Sequence, residues 1–450
     1  MNRMDAFIEK LLKEAKAAGI DPAEVYFSRG SNFNAQAMEG SIDSYEVSET
    51  CGLGFRGMVN GKTGYASTEA FDEDAVAMLI RGVKESASLS EPEEQDEIYA
   101  GDGSYPEVKI PEGDLDSVTA EEKLAFCLQM EKTARAVDKR IEKSEGAYVS
   151  TGSGEMRLVN SYGLDLRTQT PPGGYAVAGI YLVGKDGDSA STGYETEMNR
   201  RFREMDPDRI GQTAAENTLA RLHAAPVESG VYRTVIRRDA MRSLLGVFSG
   251  IFSAESAQKK LSLLEGREGE TIAAPCVTLM DDPLLEGGLA TAPFDGEGSA
   301  CFTKAVIENG VLKTLLHSRK TAKKQGVQST GNAHRSVGSA VHVAPSNFFF
   351  RPGEKSPEQL LQDMGDGLMI TELGGLHAGA NPISGDFSLI AKGFRITGGK
   401  QAEPVEQITV AGNFYELLKN IRAVGSDLEF KGGSIGSPSV DAGEINVAGK

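Results

Sequence analysis

At 450 residues the chain has the length of two or three domains, and 40% hydrophobic with 25% charged residues is the balance of a globular protein with full cores. A formal net charge of −18 argues against nucleic acid and against an anionic membrane surface, because both need clustered Lys and Arg, and it leaves a peptide partner open. No uncharged apolar run approaches the roughly 18–20 residues of a membrane span. Glu9, Lys10 and Lys13 interrupt any signal-like apolar core, and the four cysteines, Cys51, Cys127, Cys276 and Cys301, form no CxxC pair. They read as buried thiols of a reducing compartment, so a soluble, cytoplasmic protein is expected.

Met4, Phe7, Ile8, Leu11, Leu12 and Ala15 recur at helical spacing, and Gly19 closes that helix. Strand patterns follow at 25–28, 35–42 and 45–58, and Asn60-Gly61 turns the chain into a further strand over 63–67. A helix opens near Asp72, and the acidic run Glu91–Glu97 reads as a solvated linker. The layout then repeats. Thr119 with Glu122 forms a capping box, strands are predicted at 147–151, 155–161, 164–170 and 175–183, and a helix runs from about 206 to 222. Ala66-Ser67-Thr68 reappears as Ala190-Ser191-Thr192, which supports an internal duplication.

Beyond Ala225-Pro226 the pattern changes. A strand is predicted over 231–236, a strongly periodic helix from Asp239 to Phe252, and a short helix over 255–264. Further on the chain is Gly-rich and strand-rich, with helices starting at Ser356-Pro357 and Asn413. The fold class is α+β. Residues 1–225 form a domain of two helix–antiparallel sheet–helix halves, and residues 226–450 a β-rich domain with a large, mostly antiparallel sheet crossed by helices.

The stretch from Gly374 to Gly412 holds the clearest candidate site. A loop rich in Gly, Asn, Pro and Ser feeds Phe387, Leu389 and Ala391, which alternate as a half-buried strand does. Polar loops fixed on a rigid sheet are where binding groups tend to sit. Asn381, Ser384, Gly385, Asp386 and Phe387 are the peptide-binding candidates, although Asn, Ser and Asp also bond their own backbone in turns. Gly52-Leu53-Gly54-Phe55-Arg56-Gly57 runs into a hairpin instead of a helix, so it does not read as a dinucleotide loop. Gly432-Gly433-Ser434-Ile435-Gly436 has no histidine after it, as a hydrolase elbow would require. None of the five histidines lies in HExxH or HxH spacing, and convergence of His334, His342 and His377 is the remaining route to a metal site. Asp281-Asp282-Pro283 reads as a turn or cap.

Taken together, several segments resemble the TldD/PmbA family, and within it the PmbA (TldE) branch. They are 52–56 with 63–68, 252–264, 277–283, Asn381-Pro382-Ile383-Ser384-Gly385-Asp386-Phe387-Ser388, and 405–413. The resemblance implies a peptidase system whose zinc-bearing members carry an HExxxH helix and a later cysteine ligand. The corresponding helix here, 239–252, has no histidine, and no cysteine follows Cys301. No catalytic residue is therefore expected, and no cofactor on this chain, with His377 the one weak metal candidate. What the resemblance implies is a non-metal subunit that binds extended or unfolded peptides beside a zinc-bearing, TldD-like paralogue, or that forms a dimer with itself. A homodimeric peptide-binding protein without catalysis and a stand-alone peptidase with an unrecognised site are the alternatives.

Overall fold

The computed structural model describes residues 3–89 and 97–450. Helix α1 (Arg3–Ala17) leads into strands β1 (Ala23–Met38), β2 (Ser41–Val59) and β3 (Lys62–Thr68), followed by α2 (Glu73–Leu89). The same succession returns as α3 (Ala120–Val137), β4 (Ile141–Asn160), β5 (Asp165–Gln169), β6 (Tyr175–Asp186), β7 (Ser189–Asn199) and α4 (Pro207–Leu219). One antiparallel sheet in the order β3-β2-β1-β4-β6-β7 unites both halves, with β5 beside β4. The first strands of each half, β1 and β4, meet at its centre with Ser31 opposite Ser153. Helices α1 and α2 cover one half through Phe7, Leu11, Leu79 and Val83, and α3 and α4 cover the other through Met130, Ala134, Ile210 and Ala214. Of the acidic linker, residues 91–96 lie outside the described residues, and Glu97 pairs with Arg319 at 2.6 Å.

The strands are longer than periodicity suggested. Residues 147–151 and 155–161 belong to one strand, because Gly152 and Gly154 are glycines of close approach and not of interruption. A Cβ at Gly152 would lie 2.6 Å from the Tyr175 ring, and one at Gly154 only 2.9 Å from the Arg29 carbonyl. A second shared triplet aligns the halves at a different offset from that of Ala66-Ser67-Thr68 and Ala190-Ser191-Thr192. Thr63-Gly64-Tyr65 on β3 and Thr192-Gly193-Tyr194 on β7 hold the glycines against which a helix closes. A Cβ at Gly64 would sit 1.9 Å from the Val83 carbonyl oxygen of α2, and one at Gly193 2.4 Å from Thr218 Oγ1 of α4.

The second half of the chain runs through β8 (Gly230–Ile236), α5 (Arg238–Phe248), α6 (Ala254–Gln258), β9 (Leu279–Asp281), β10 (Lys304–Glu308) and β11 (Val311–Leu312). It continues with α7 (Arg319–Gln325), β12 (Ala333–His334), β13 (His342–Val343), β14 (Phe348–Phe350), α8 (Pro357–Met364), β15 (Gly367–Gly374) and α9 (Leu376–Gly379). Last come β16 (Asp386–Thr397), β17 (Lys400–Asn413), α10 (Phe414–Asn420), β18 (Ala423–Val424), β19 (Ile435–Gly436) and β20 (Val440–Ala448). Strands β17-β16-β15-β8-β20 form a sheet in which β8 and β15 are parallel and the other pairs antiparallel. Pairing of residues 409–411 with 446–448 closes it into a barrel. The small sheet β11-β10-β9-β14-β19 stands beside it.

Three local expectations change. The short helix stops at Gln258 because Lys260 takes a left-handed φ of 62°, and Leu261 and Leu263 are then exposed. Asp281 is no turn residue: it is fully buried in β9, where Lys304 Nζ and Asn332 Nδ2 each reach its carboxylate at 2.8 Å. Cys276 is exposed, while Cys127 and Cys301 are buried.

Gly64→Ala has room for its methyl only if α2 moves off the sheet. We expect a loss of about 2–3 kcal/mol in urea unfolding, against little change for Gly61→Ala in free space apart from its turn strain.

Candidate functional site

The site is built where α5 and the end of the small sheet face the N-terminal sheet. Along α5, Met241, Leu244, Leu245 and Phe248 are all buried, and Phe248 stacks on Phe414 at 4.6 Å and 8° and meets Phe387 edge-on at 6.4 Å. The inward face of this helix is thus filled by carbon and offers no metal ligand. At its first turn Asp239 is buried, 2.9 Å from Arg237 and 3.4 Å from Lys431. Lys431 in turn reaches Glu195 of β7 at 3.2 Å and lies over the Tyr194 ring at 5.5 Å. Burial works against the Lys431 ammonium, but Asp239 and Glu195 outweigh it and hold its pKa above the usual lysine value. Lys431 also takes a φ of 41°, a left-handed conformation uncommon for a residue with a side chain. Only the Gly-rich pattern after it was legible beforehand; its ion partners and strain were not.

The predicted loop lies at the mouth of the barrel. Asn381 Oδ1 accepts from the N–H groups of Ile383 (3.0 Å) and Ser384 (3.3 Å), and Ser384 Oγ accepts from Asp386 N–H at 3.3 Å. Asn413 Nδ2 donates to the Asp386 carboxylate at 2.8 Å and to the Ser384 carbonyl at 2.8 Å, and the first of these bonds holds the Asp386 pKa below the usual carboxylate value. Gly385 has φ 83° with the Tyr415 ring against it, and Phe387 is buried beneath. Asn381 and Asp386 are exposed and Ser384 is partly so, with Ile383 projecting beside them. His377 is exposed on α9. His334 and His342 face each other across β12 and β13 with ring centroids 6.2 Å apart. Among the described residues no group of three or more His, Cys, Asp or Glu could hold a metal ion.

Family models described as PmbA/TldA metallopeptidase domain 1, central domain and C-terminal domain match residues 23–87, 113–222 and 229–449. An uncharacterized protein of Methanocaldococcus jannaschii is 30% identical over 97% of this chain and 99% of its own. The chain belongs to the TldD/PmbA family, also called the modulator-of-DNA-gyrase family. The Escherichia coli O157:H7 protein called Metalloprotease PmbA is 27% identical over 98% of this chain and 97% of its own. A Thermotoga maritima structure described as a candidate modulator of a DNA gyrase superposes with a TM-score of 0.92 at 31% identity, covering 99% of this chain and all of that one. TldE from Thermococcus kodakarensis shares the fold, with a TM-score of 0.90 at 23% identity, over 98% of this chain and 100% of its own.

Within this family fold the two halves of the chain are joined by charge. Arg221 pairs with Glu372 of β15 at 2.7 Å, and Lys392 Nζ donates to Thr192 Oγ1 at 3.0 Å. Deeper in, Glu24 of β1 has no exposed surface and lies 3.2 Å from Arg56 and 2.8 Å from Arg335, whose guanidinium covers the Tyr26 ring. Nearby, Asp295 and Glu297 are both buried. Burial first, then the neighbouring Glu297, raises the Asp295 carboxyl to about 7, against three backbone N–H bonds that favour its charged form.

Two expectations follow. Lys431→Met leaves buried Asp239 with Arg237 as its ion-pair partner and takes the cation from half-buried Glu195, and should cost about 2 kcal/mol in urea unfolding; part of that returns in the Lys431→Met/Asp239→Asn double variant. For Asp295, the folded carboxyl keeps its proton up to about pH 7 while the unfolded one loses it near pH 4. Its contribution to stability is therefore full below about pH 4 and falls, by at most about 1.4 kcal/mol per unit, as pH rises towards about 7. Glu297→Gln removes the like charge and should make that fall shallower in a pH series of unfolding midpoints.

Proposed function

We propose that this chain is the non-metal subunit of a TldD/PmbA-type metallopeptidase, acting beside a zinc-bearing paralogue that supplies the metal chemistry. One observation carries the reading: α5, which the resemblance matches to the HExxxH helix of zinc-bearing members, turns Leu244, Leu245 and Phe248 into the core and holds no imidazole or thiolate. The family membership and the names of its relatives, metalloprotease among them, support it. The role left to the chain is to bind peptide. Asn381, Ser384 and Asp386 present exposed or half-exposed polar groups at the barrel mouth, on a turn that Gly385 closes from beneath. Strand addition has open edges available, among them that of β2, whose residues 41–52 pair with β1 on one side only. The division near 225 and 226 then separates a peptide-receiving sheet from the barrel that carries α5. No helix among the described residues is long and apolar enough to cross a membrane, in keeping with the cytoplasmic setting proposed here.

Co-expression with the zinc-bearing paralogue tests this reading. The expected outcome is a stable mixed complex by light scattering, zinc found only in the pair, and cleavage of an unstructured reporter peptide by the pair and by neither chain alone. Stoichiometric zinc on this chain by itself, or no association at about 10 μM, would sink it. A self-dimer that binds the peptide and is never part of an active pair would select the non-catalytic binding protein instead.

A further inference from the structure

Each helix pair covers its own half of the N-terminal sheet, and a furrow remains between them along the central β1–β4 pair. Its deeper end is a cavity of about 320 Å³. Phe27, Phe71, Met4 and Cys51 give it an apolar lining, and Phe27 and Phe71 stand edge to face at 6.3 Å. Four arginines, Arg3, Arg29, Arg157 and Arg167, surround it against the lining carboxylates Asp5 and Glu155. Asp165 adds a third negative charge from behind, 2.7 Å from Arg157. Glu69 adds a fourth negative charge near Cys51, so the arginines are matched in number and differ in how fully each is engaged.

The arginines are not equivalent. Arg157 is mostly buried and doubly engaged, by Asp5 at 2.6 Å and by Asp165. Arg167 stands directly opposite Arg157 across β5 and β4, a like-charge pairing that is unfavourable unless carboxylates intervene. It reaches Asp5 only at 3.4 Å and Asp165 at 3.7 Å, with 62% of its side chain exposed. Arg29 touches Glu155 through a single 3.4 Å contact and is 63% exposed. A guanidinium has five N–H donors, so both forks keep donors for an incoming anion.

We infer that this cavity binds an amphipathic monocarboxylate, with an aromatic or branched apolar body on Phe27 and Phe71 and its carboxylate on Arg29 and Arg167. A bare phosphate would gain nothing from the aromatic lining, and a neutral apolar molecule nothing from the rim. The C-terminal residue of a peptide and a free small acid share this chemistry. The furrow continues past Arg29 and Glu155 into a second, polar cavity of about 560 Å³ bounded by Gly30, Ser31, Ser153 and Gly154. The residues preceding such a terminus would lie in that continuation. The inference does not rest on the metallopeptidase reading, since the cavity lies on the helix-covered face of the N-terminal sheet, away from α5 and the barrel mouth.

The test uses the full chain carrying Cys276→Ser, titrated calorimetrically with N-acetyl-L-phenylalanine, with its C-terminal amide, and with an unstructured heptapeptide ending in phenylalanine. Cys51, partly exposed in the cavity lining, reports occupancy through its rate of alkylation at alkaline pH, because burial raises its thiol pKa. The acid is expected to bind with a Kd on the order of 1 mM or tighter and to slow alkylation of Cys51. The amide, and the acid with the Arg29→Ala/Arg167→Ala variant, should each bind at least about tenfold more weakly. An unchanged urea midpoint in that variant keeps a binding loss from being a folding loss. Equal affinity for acid and amide, no saturation by about 20 mM, or an unaffected variant overturns the assignment. Tighter binding of the heptapeptide than of the single residue identifies a chain terminus as the occupant, and equal binding identifies a free acid.

Discussion

A carboxylate with no exposed surface, that of Glu24, sits between one arginine of its own sheet and one from the other half of the chain. An isolated charge there would be prohibitively costly, and a pair alone would barely offset its desolvation. With Arg56 on one side and Arg335 on the other, stacked on Tyr26, the charge is compensated only when both halves are in place. The joined state is thereby distinguished from any in which the sheet and the barrel-bearing half lie apart, because separation would leave Glu24 with Arg56 alone. The contacts from Arg221 to Glu372 and from Lys431 to Glu195 repeat the same logic nearer the surface.

The inward face of α5 is given over to packing. Ligands for a metal need polar, deprotonated side chains in an open cavity, whereas Leu244, Leu245 and Phe248 here close that space with close-packed carbon. The phenylalanine stack that joins α5 to α10 and β16 makes the helix a structural strut. At the helix start, Asp239 and Lys431 face the N-terminal sheet.

Much of this was readable in the residues themselves, for local reasons. The alternation of Phe387, Leu389 and Ala391 and the Thr119–Glu122 capping box both describe interactions a few residues long, and both stand in the fold. The lack of HExxxH is likewise plain in the sequence. Barrel closure was not legible, since the pairing of residues 409–411 with 446–448 depends on the path of everything between them. Nor was the arginine-rimmed cavity, whose members come from positions 3, 29, 157 and 167 and meet only through the register of β1, β4 and β5 and the packing of α1 on them. Gly152 and Gly154 misled because a glycine that ends a strand and one that admits a neighbouring ring look alike in one dimension.

The meeting of β1 and β4 at the middle of the sheet bears on how the N-terminal region came to be one body. Each half presents its first strand to the other in antiparallel register, which is the contact two copies of a single half would make about a two-fold axis. Joined in one chain, the halves no longer need to find each other by diffusion. A covalent link between them replaces solution concentration with an effective one. Each half is then freed from self-complementarity, and its residues can diverge. Tyr194 and Glu195 can therefore serve Lys431 while Tyr65 and Ala66, at the corresponding place in the first half, face a different neighbour.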